Sequence, residues 1–160
     1  MMIGFWSLIF LVAPFLLQGF AMAVDEFYFH LRRGLPSWER VGHPLDTLSA
    51  FVCLLLTALT EPSTALLALY TAMAIVSCLL ITKDEWVHTE LCSAGENWIH
   101  SLLFVLHPIC LIAAAVIWKG ALAPIVLQAQ TVLLVIFMVY QITYWNFIWK
   151  PKSTPPSTIN

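Results

Sequence analysis

Five stretches of the chain contain no Asp, Glu, Lys or Arg: 3–24, 47–60, 63–82, 98–118 and 122–149. A helix needs about 20 apolar residues to cross a hydrocarbon core of roughly 30 Å. Each stretch therefore reads as a membrane helix. Glu61-Pro62 separates the second from the third, because a proline beside a charged residue breaks a helix and marks a turn. The predicted fold is an all-α integral membrane protein with five transmembrane helices. First and second pair as one helical hairpin and third and fourth as another, with similar tips, plus a fifth helix. Residues 1–149 form a single polytopic membrane domain, and the Pro/Ser/Thr-rich stretch 150–160 reads as a disordered tail.

Composition agrees: 61% of residues are hydrophobic, 10% are charged and the mean hydropathy is +0.87. A soluble domain of this size is far more polar. Charge then sets an orientation. With five spans, the segments 25–46, 83–97 and 150–160 share one side, which carries Arg32, Arg33, Arg40, Lys83, Lys150 and Lys152 against Lys119 on the other. Basic residues stay on the cytoplasmic side, so the N-terminus is expected outside and the C-terminus in the cytoplasm, in a plasma (inner) membrane. Ala21-Met22-Ala23 resembles a signal-peptide cleavage site, but "MMIGFW" has no Lys or Arg ahead of the apolar run. Four unevenly spaced cysteines give no disulfide framework.

The polar residues are not scattered. "DEFYFHLRRGLPSWERVGH" (25–43) and "DEWVHTELCSAGENWIH" (84–100) both begin with Asp-Glu, reach a His within about a helical turn, break at Gly and then present Glu-x-x-x-His. Residues three or four apart share a helix face. Glu26 with His30, Glu39 with His43, Glu85 with His88, and Glu96 with His100 therefore form four one-face pairs at helix ends. Gly42 and Pro44 put the helical geometry of the second pair in question. A single Glu-x-x-x-His is weak evidence, and acids and histidines are ordinary at a membrane surface. The weight comes from the set, since all five histidines lie on one side or in a span reached from it.

Two further residues extend the set. Asp46 opens the short second run, where a carboxylate drawn below the surface is costly unless it is paired or bound. It also fits a plain N-cap. His107 lies two turns beyond His100, ahead of Pro108, and reads equally as a neutral histidine bonded between helices. The predicted ligands are Glu26, His30, Glu39, His43, Asp46, Glu85, His88, Glu96, His100 and His107. These outnumber the roughly three to six that one zinc or iron takes, so two metal ions are expected. Mixed imidazole and carboxylate suits iron first, then manganese or zinc. Soluble di-iron four-helix bundles use similar ligands, but only Glu85 and His88 match their Glu-x-x-His spacing. Asp46 or Glu96 is the expected catalytic carboxylate, shifting its binding mode or relaying a proton. Cys92, Tyr140, Tyr144, Gln141 and Gln18 are candidates for the rim.

The expected function is a metal-dependent membrane oxidoreductase. Its expected partners are membrane lipid, a hydrophobic substrate and an electron-donor protein, with no nucleic acid. The alternatives are a metal transporter, chaperone or sensor, a haem-binding membrane subunit, and an interfacial zinc hydrolase.

Overall fold

The computed structural model describes residues 5–83, 85 and 90–150, and there the chain is all-α with five long helices. Helix α1 is Phe5–Val24, α2 Ser37–Leu59, α3 Thr64–Leu80, α4 Ala94–Gly120 and α5 Pro124–Thr143. With their extensions, α1, α2, α4 and α5 are long and apolar enough to cross a membrane, whereas α3 is a shorter apolar helix. The tail 151–160 lies outside the described residues.

The ends follow from local chemistry. Ser63 and Ser93 cap α3 and α4, their hydroxyls accepting from the backbone N–H of Leu66 at 3.2 Å and of Glu96 at 3.3 Å. Pro124 opens α5, where its missing N–H costs nothing. α2 begins ten residues before the uncharged run, at Ser37, and continues through Gly42 and Pro44. "ERVGH" is therefore helical. The first ten residues of α2 supply the length that the run 47–60 lacks.

Two helices change their winding at one end of the bundle. α1 passes without a break into a π-helical stretch, Asp25–His30, then into a last α-turn, Leu31–Arg33. α5 passes likewise into π-helical Tyr144–Ile148. The exit from α1 turns at Gly34, whose φ of +80° suits a residue without Cβ. A Cβ there would also meet the Trp149 ring at 2.5 Å.

α1 packs along α4, while α2 packs along α5 and also against α3 and α4. The apolar core gathers Cys53, Leu54, Tyr70, Leu111, Ala114, Ile117 and Trp118 at the end far from the π-helical stretches. There the Tyr70 hydroxyl donates to the Leu111 carbonyl and the Trp118 indole to the Thr60 carbonyl, each at 2.6 Å. The outer surface is the reverse of a soluble protein's. Phe10, Phe20, Leu59, Leu79, Ile112 and Ile125 are exposed, while Asp25, Glu26, His30, Glu39, Glu96 and His100 are buried.

Candidate metal centre

The buried acids and histidines converge between the ends of α1, α2 and α4. From the π-helical stretch come Asp25, Glu26 and His30; α2 brings Glu39 and His43, and α4 brings Glu96 and His100. The winding explains why α1 contributes three. With 3.6 residues per turn, positions five apart point about 140° away from each other. A π-helix bonds residue i to i+5, which stacks such positions. Asp25 thereby joins His30 on the inner face. Reading the sequence with α-helical spacing selects Glu26 and misses Asp25.

One group is Asp25, His30, Glu96 and His100; a second is His30, Glu39 and His43, and in each the ligand atoms lie within 4.8 Å of one another. Asp25 is 3.0 Å from His100 Nε2 and 3.4 Å from His30 Nε2, and His30 Nε2 is 3.7 Å from Glu96 Oε1. Atoms bound about 2.1 Å from one ion sit roughly 3.0 Å apart at right angles, or roughly 3.4 Å apart in a tetrahedron. The first group approaches the spacing of a coordination shell, with Asp25 turning Oδ1 to His100, as a hydrogen bond, and Oδ2 to His30.

The hydrogen bonding points the same way. His30 Nδ1 faces Glu26 at 3.3 Å, and the Trp145 indole donates to the other oxygen of Glu26. Glu26 therefore stands behind His30 as an orienting carboxylate, a pattern usual for metal-bound histidines. The buried Nε2 of His30, and that of His43, makes no hydrogen bond among the described residues. A neutral imidazole held through Nδ1–H turns its Nε2 lone pair toward the carboxylates of Asp25 and Glu96. Lone pair against anion is repulsive unless a cation lies between them.

Charge count gives the same result. Asp25, Glu26, Glu39 and Glu96 are four buried carboxylates, and the cation placed directly on them is Arg33. With neutral imidazoles, four minus one leaves about three uncompensated negative charges, which is prohibitive at low dielectric. Protons or metal ions must balance them. Arg33 forks between two carboxylates, donating to both oxygens of Glu39 (2.7 and 3.2 Å) and to Glu96 Oε1 (2.9 and 3.1 Å). It holds the Glu39 oxygens that the second group would need. His43 Nε2, 3.8 Å from Glu39, completes that side.

The other predicted residues that the structure describes lie outside these two ligand groups. Asp46 is paired with Lys83 Nζ at 2.6 Å, an outward partner that the gap of 37 residues hid from any spacing rule. His107 lies two turns along α4 from His100, bonded to Ser77 at 2.9 Å and to Gln18 at 3.4 Å. Glu85 is exposed, and Asp84 and His88 lie outside the described residues. Burial pushes the Cys92 thiol up to about 12, with Arg33 opposing and Glu96 adding to the rise, so it stays protonated. Gln141 accepts from Thr47 at 2.8 Å, and the Tyr140 and Tyr144 rings stack on each other with centroids 5.4 Å apart.

A cavity runs inward from the cluster. Asp25, Glu26, His43 and His100 line its polar end; Leu103, Phe104, Leu134 and Phe137 line its apolar walls. It adjoins a second, more apolar cavity, with Gln18, Met22, Ala50, His107, Leu134 and Phe137 shared between the two. Fold and site together define the class: an all-α protein with four helices fit to cross a membrane, enclosing a His/Asp/Glu cluster able to coordinate one or two metal ions. Comparison with protein-family models, curated proteins and solved structures gives no match.

Proposed function

We propose that this chain is a membrane-embedded, metal-dependent oxidoreductase acting on a hydrophobic molecule drawn from the bilayer. One observation carries the reading: a buried imidazole–carboxylate cluster, spaced for a metal, forms the end wall of an apolar cavity. A site that only stored or passed an ion would not need that cavity. The apolar outer surface and the four long apolar helices support membrane embedding. The basic residues at 32, 33, 40, 83, 150 and 152 against Lys119 alone support a five-span topology with the cluster on the cytoplasmic side.

The best-formed site is Asp25, His30, Glu96 and His100. Iron fits its mixed donors, as manganese and zinc also would, and when bound it would supply the redox chemistry. A second ion beside Glu39 and His43 requires Arg33 to withdraw. Of the chain's own residues, Glu26 and Trp145 orient His30. Glu96, shared between Arg33 and the site, can exchange one partner for the other. Asp46, which lines the same cavity and is paired with Lys83, would pass a proton between the cavity and the side expected to be basic.

Protein purified in mild detergent after expression with iron available should retain one metal ion per chain by mass spectrometry, or two if Arg33 moves aside. It should also oxidise or reduce a hydrophobic substrate. No retained metal, with helix content intact, defeats the proposal. Metal uptake into liposomes without any turnover would replace it with metal transport.

A further inference from the structure

The cavity has a second polar tier, and its hydrogen bonds fix what a ligand must offer. Gln18 and Asp25 are seven residues apart on α1 and its extension; His107 and His100 are seven apart on α4. The helices run in opposite directions here. Both intervals span two turns, about 10 Å, so Gln18 and His107 meet at one level as Asp25 and His100 meet at the other. Between the tiers the wall is apolar, with Phe104 and Phe137 facing the space.

Directions in the upper tier can be worked out from its far end. The Asp46 backbone carbonyl can only accept, so the Ser49 hydroxyl, 2.8 Å away, donates to it. Ser49 has then used its proton. Ser77, 2.7 Å from Ser49, must donate to that oxygen. Ser77 in turn can only accept from His107 Nε2, at 2.9 Å. His107 has no carboxylate against it among the described residues and is buried, so it is a neutral imidazole carrying its proton on Nε2. Its Nδ1 is an acceptor, and Gln18 must turn its amide nitrogen toward it, as observed at 3.4 Å. The amide oxygen of Gln18 is left buried, without a hydrogen-bond partner among the described residues, beside the cavity. A chain of four bonds thus leaves one acceptor in an apolar, aromatic-lined space.

We infer that Gln18 Oε1 receives the hydroxyl of an apolar phenolic molecule, a hydroquinone-type ligand, whose ring lies between Phe104 and Phe137 and whose other end faces the metal cluster. The inference deepens the proposed function by naming its substrate class, but the hydroxyl preference does not need the metal. The test is calorimetric titration of the detergent-solubilised full chain with a short-chain alkyl hydroquinone and with its dimethyl ether. The hydroquinone should bind about tenfold more tightly, the worth of one neutral hydrogen bond. Gln18→Leu should remove that difference while keeping the affinity for the ether. Ser77→Ala gives a sharper second variant. His107 then loses its acceptor at Nε2, the imidazole shifts its proton to Nδ1, and Gln18 turns its amide nitrogen to the cavity. The preference should fall or reverse toward the ether. Equal binding of both compounds by the native protein overturns the inference, as does a preference unchanged in Ser77→Ala. Titrations are run metal-loaded and metal-stripped. A lost preference with metal retained defeats this inference alone; a retained preference without any metal binding defeats the metal reading alone.

Discussion

In the proposed centre, Arg33 limits how many cations the cluster can take. Its guanidinium binds two carboxylates at once and is the fixed positive charge among four buried negatives. Taking it away exposes Glu39 and Glu96 to each other without compensation. Breaking a buried pair in this way costs on the order of 3–5 kcal/mol. Arg33→Met should therefore lower the thermal midpoint clearly in the presence of chelator. With iron or zinc added, the same variant should recover stability and bind one more ion per chain than the native protein, because both oxygens of Glu39 become free to coordinate. Metal content by mass spectrometry and melting with and without chelator check both halves. A variant that melts like the native protein in chelator, with an unchanged metal count, would show that Arg33 is only a surface anchor. The residue scale is also where sequence reading falls short. Glu39 and His43 are legible because a helix continues through Gly42. Asp25 is not, since no residue type announces π winding. Asp46 sits at a boundary where a carboxylate needs a partner, but finding Lys83 requires the packing of α2 against α3.

At the scale of elements, the turn after α1 holds the cluster's α1 and α2 contributions in register. Gly34 takes a left-handed conformation under the Trp149 ring, and its N–H bonds to the His30 carbonyl at 2.7 Å. Gly34→Ala adds a methyl group with no room and a backbone penalty on the order of 1–3 kcal/mol. It should lower the thermal midpoint by several degrees and weaken metal binding, since Arg33 just before the turn is paired with Glu39 just after it. Substituting Gly19, which has open space around it, should do neither. The helices themselves are legible from the hydrophobic runs, and the start of α4 from Ser93 and Glu96. The early start of α2 is only partly so, because the Glu39 and His43 spacing implies a helix there while no apolar run marks where it begins.

For the whole molecule, the proposed centre should act as a stability switch. A folded chain that binds an ion at 100 times its Kd gains about 2.7 kcal/mol over the chelated form. That gain depends on pH in a definite direction. A metal needs neutral imidazoles, so binding weakens as pH falls and protons compete for the same ring nitrogens. Protonated imidazoles meanwhile neutralise the buried carboxylates of the metal-free chain. The two effects add, and the difference in thermal midpoint between metal-loaded and chelated protein should narrow steadily as pH falls. A difference independent of pH would place the ion away from the histidines.

The π-helical stretch Asp25–His30 has a genetic consequence. Such a stretch is equivalent to an ordinary helix with one codon inserted, and removing one codon can restore α winding while keeping the span. Deleting Tyr28, an exposed residue, should leave a folded membrane helix with Asp25 rotated out of the cavity. Metal binding would then fall sharply with little change in helix content. A one-residue length change in this helix is thus the smallest step between a plain membrane bundle and one that carries the centre. Relatives of either kind could be told apart by counting residues between Val24 and Gly34.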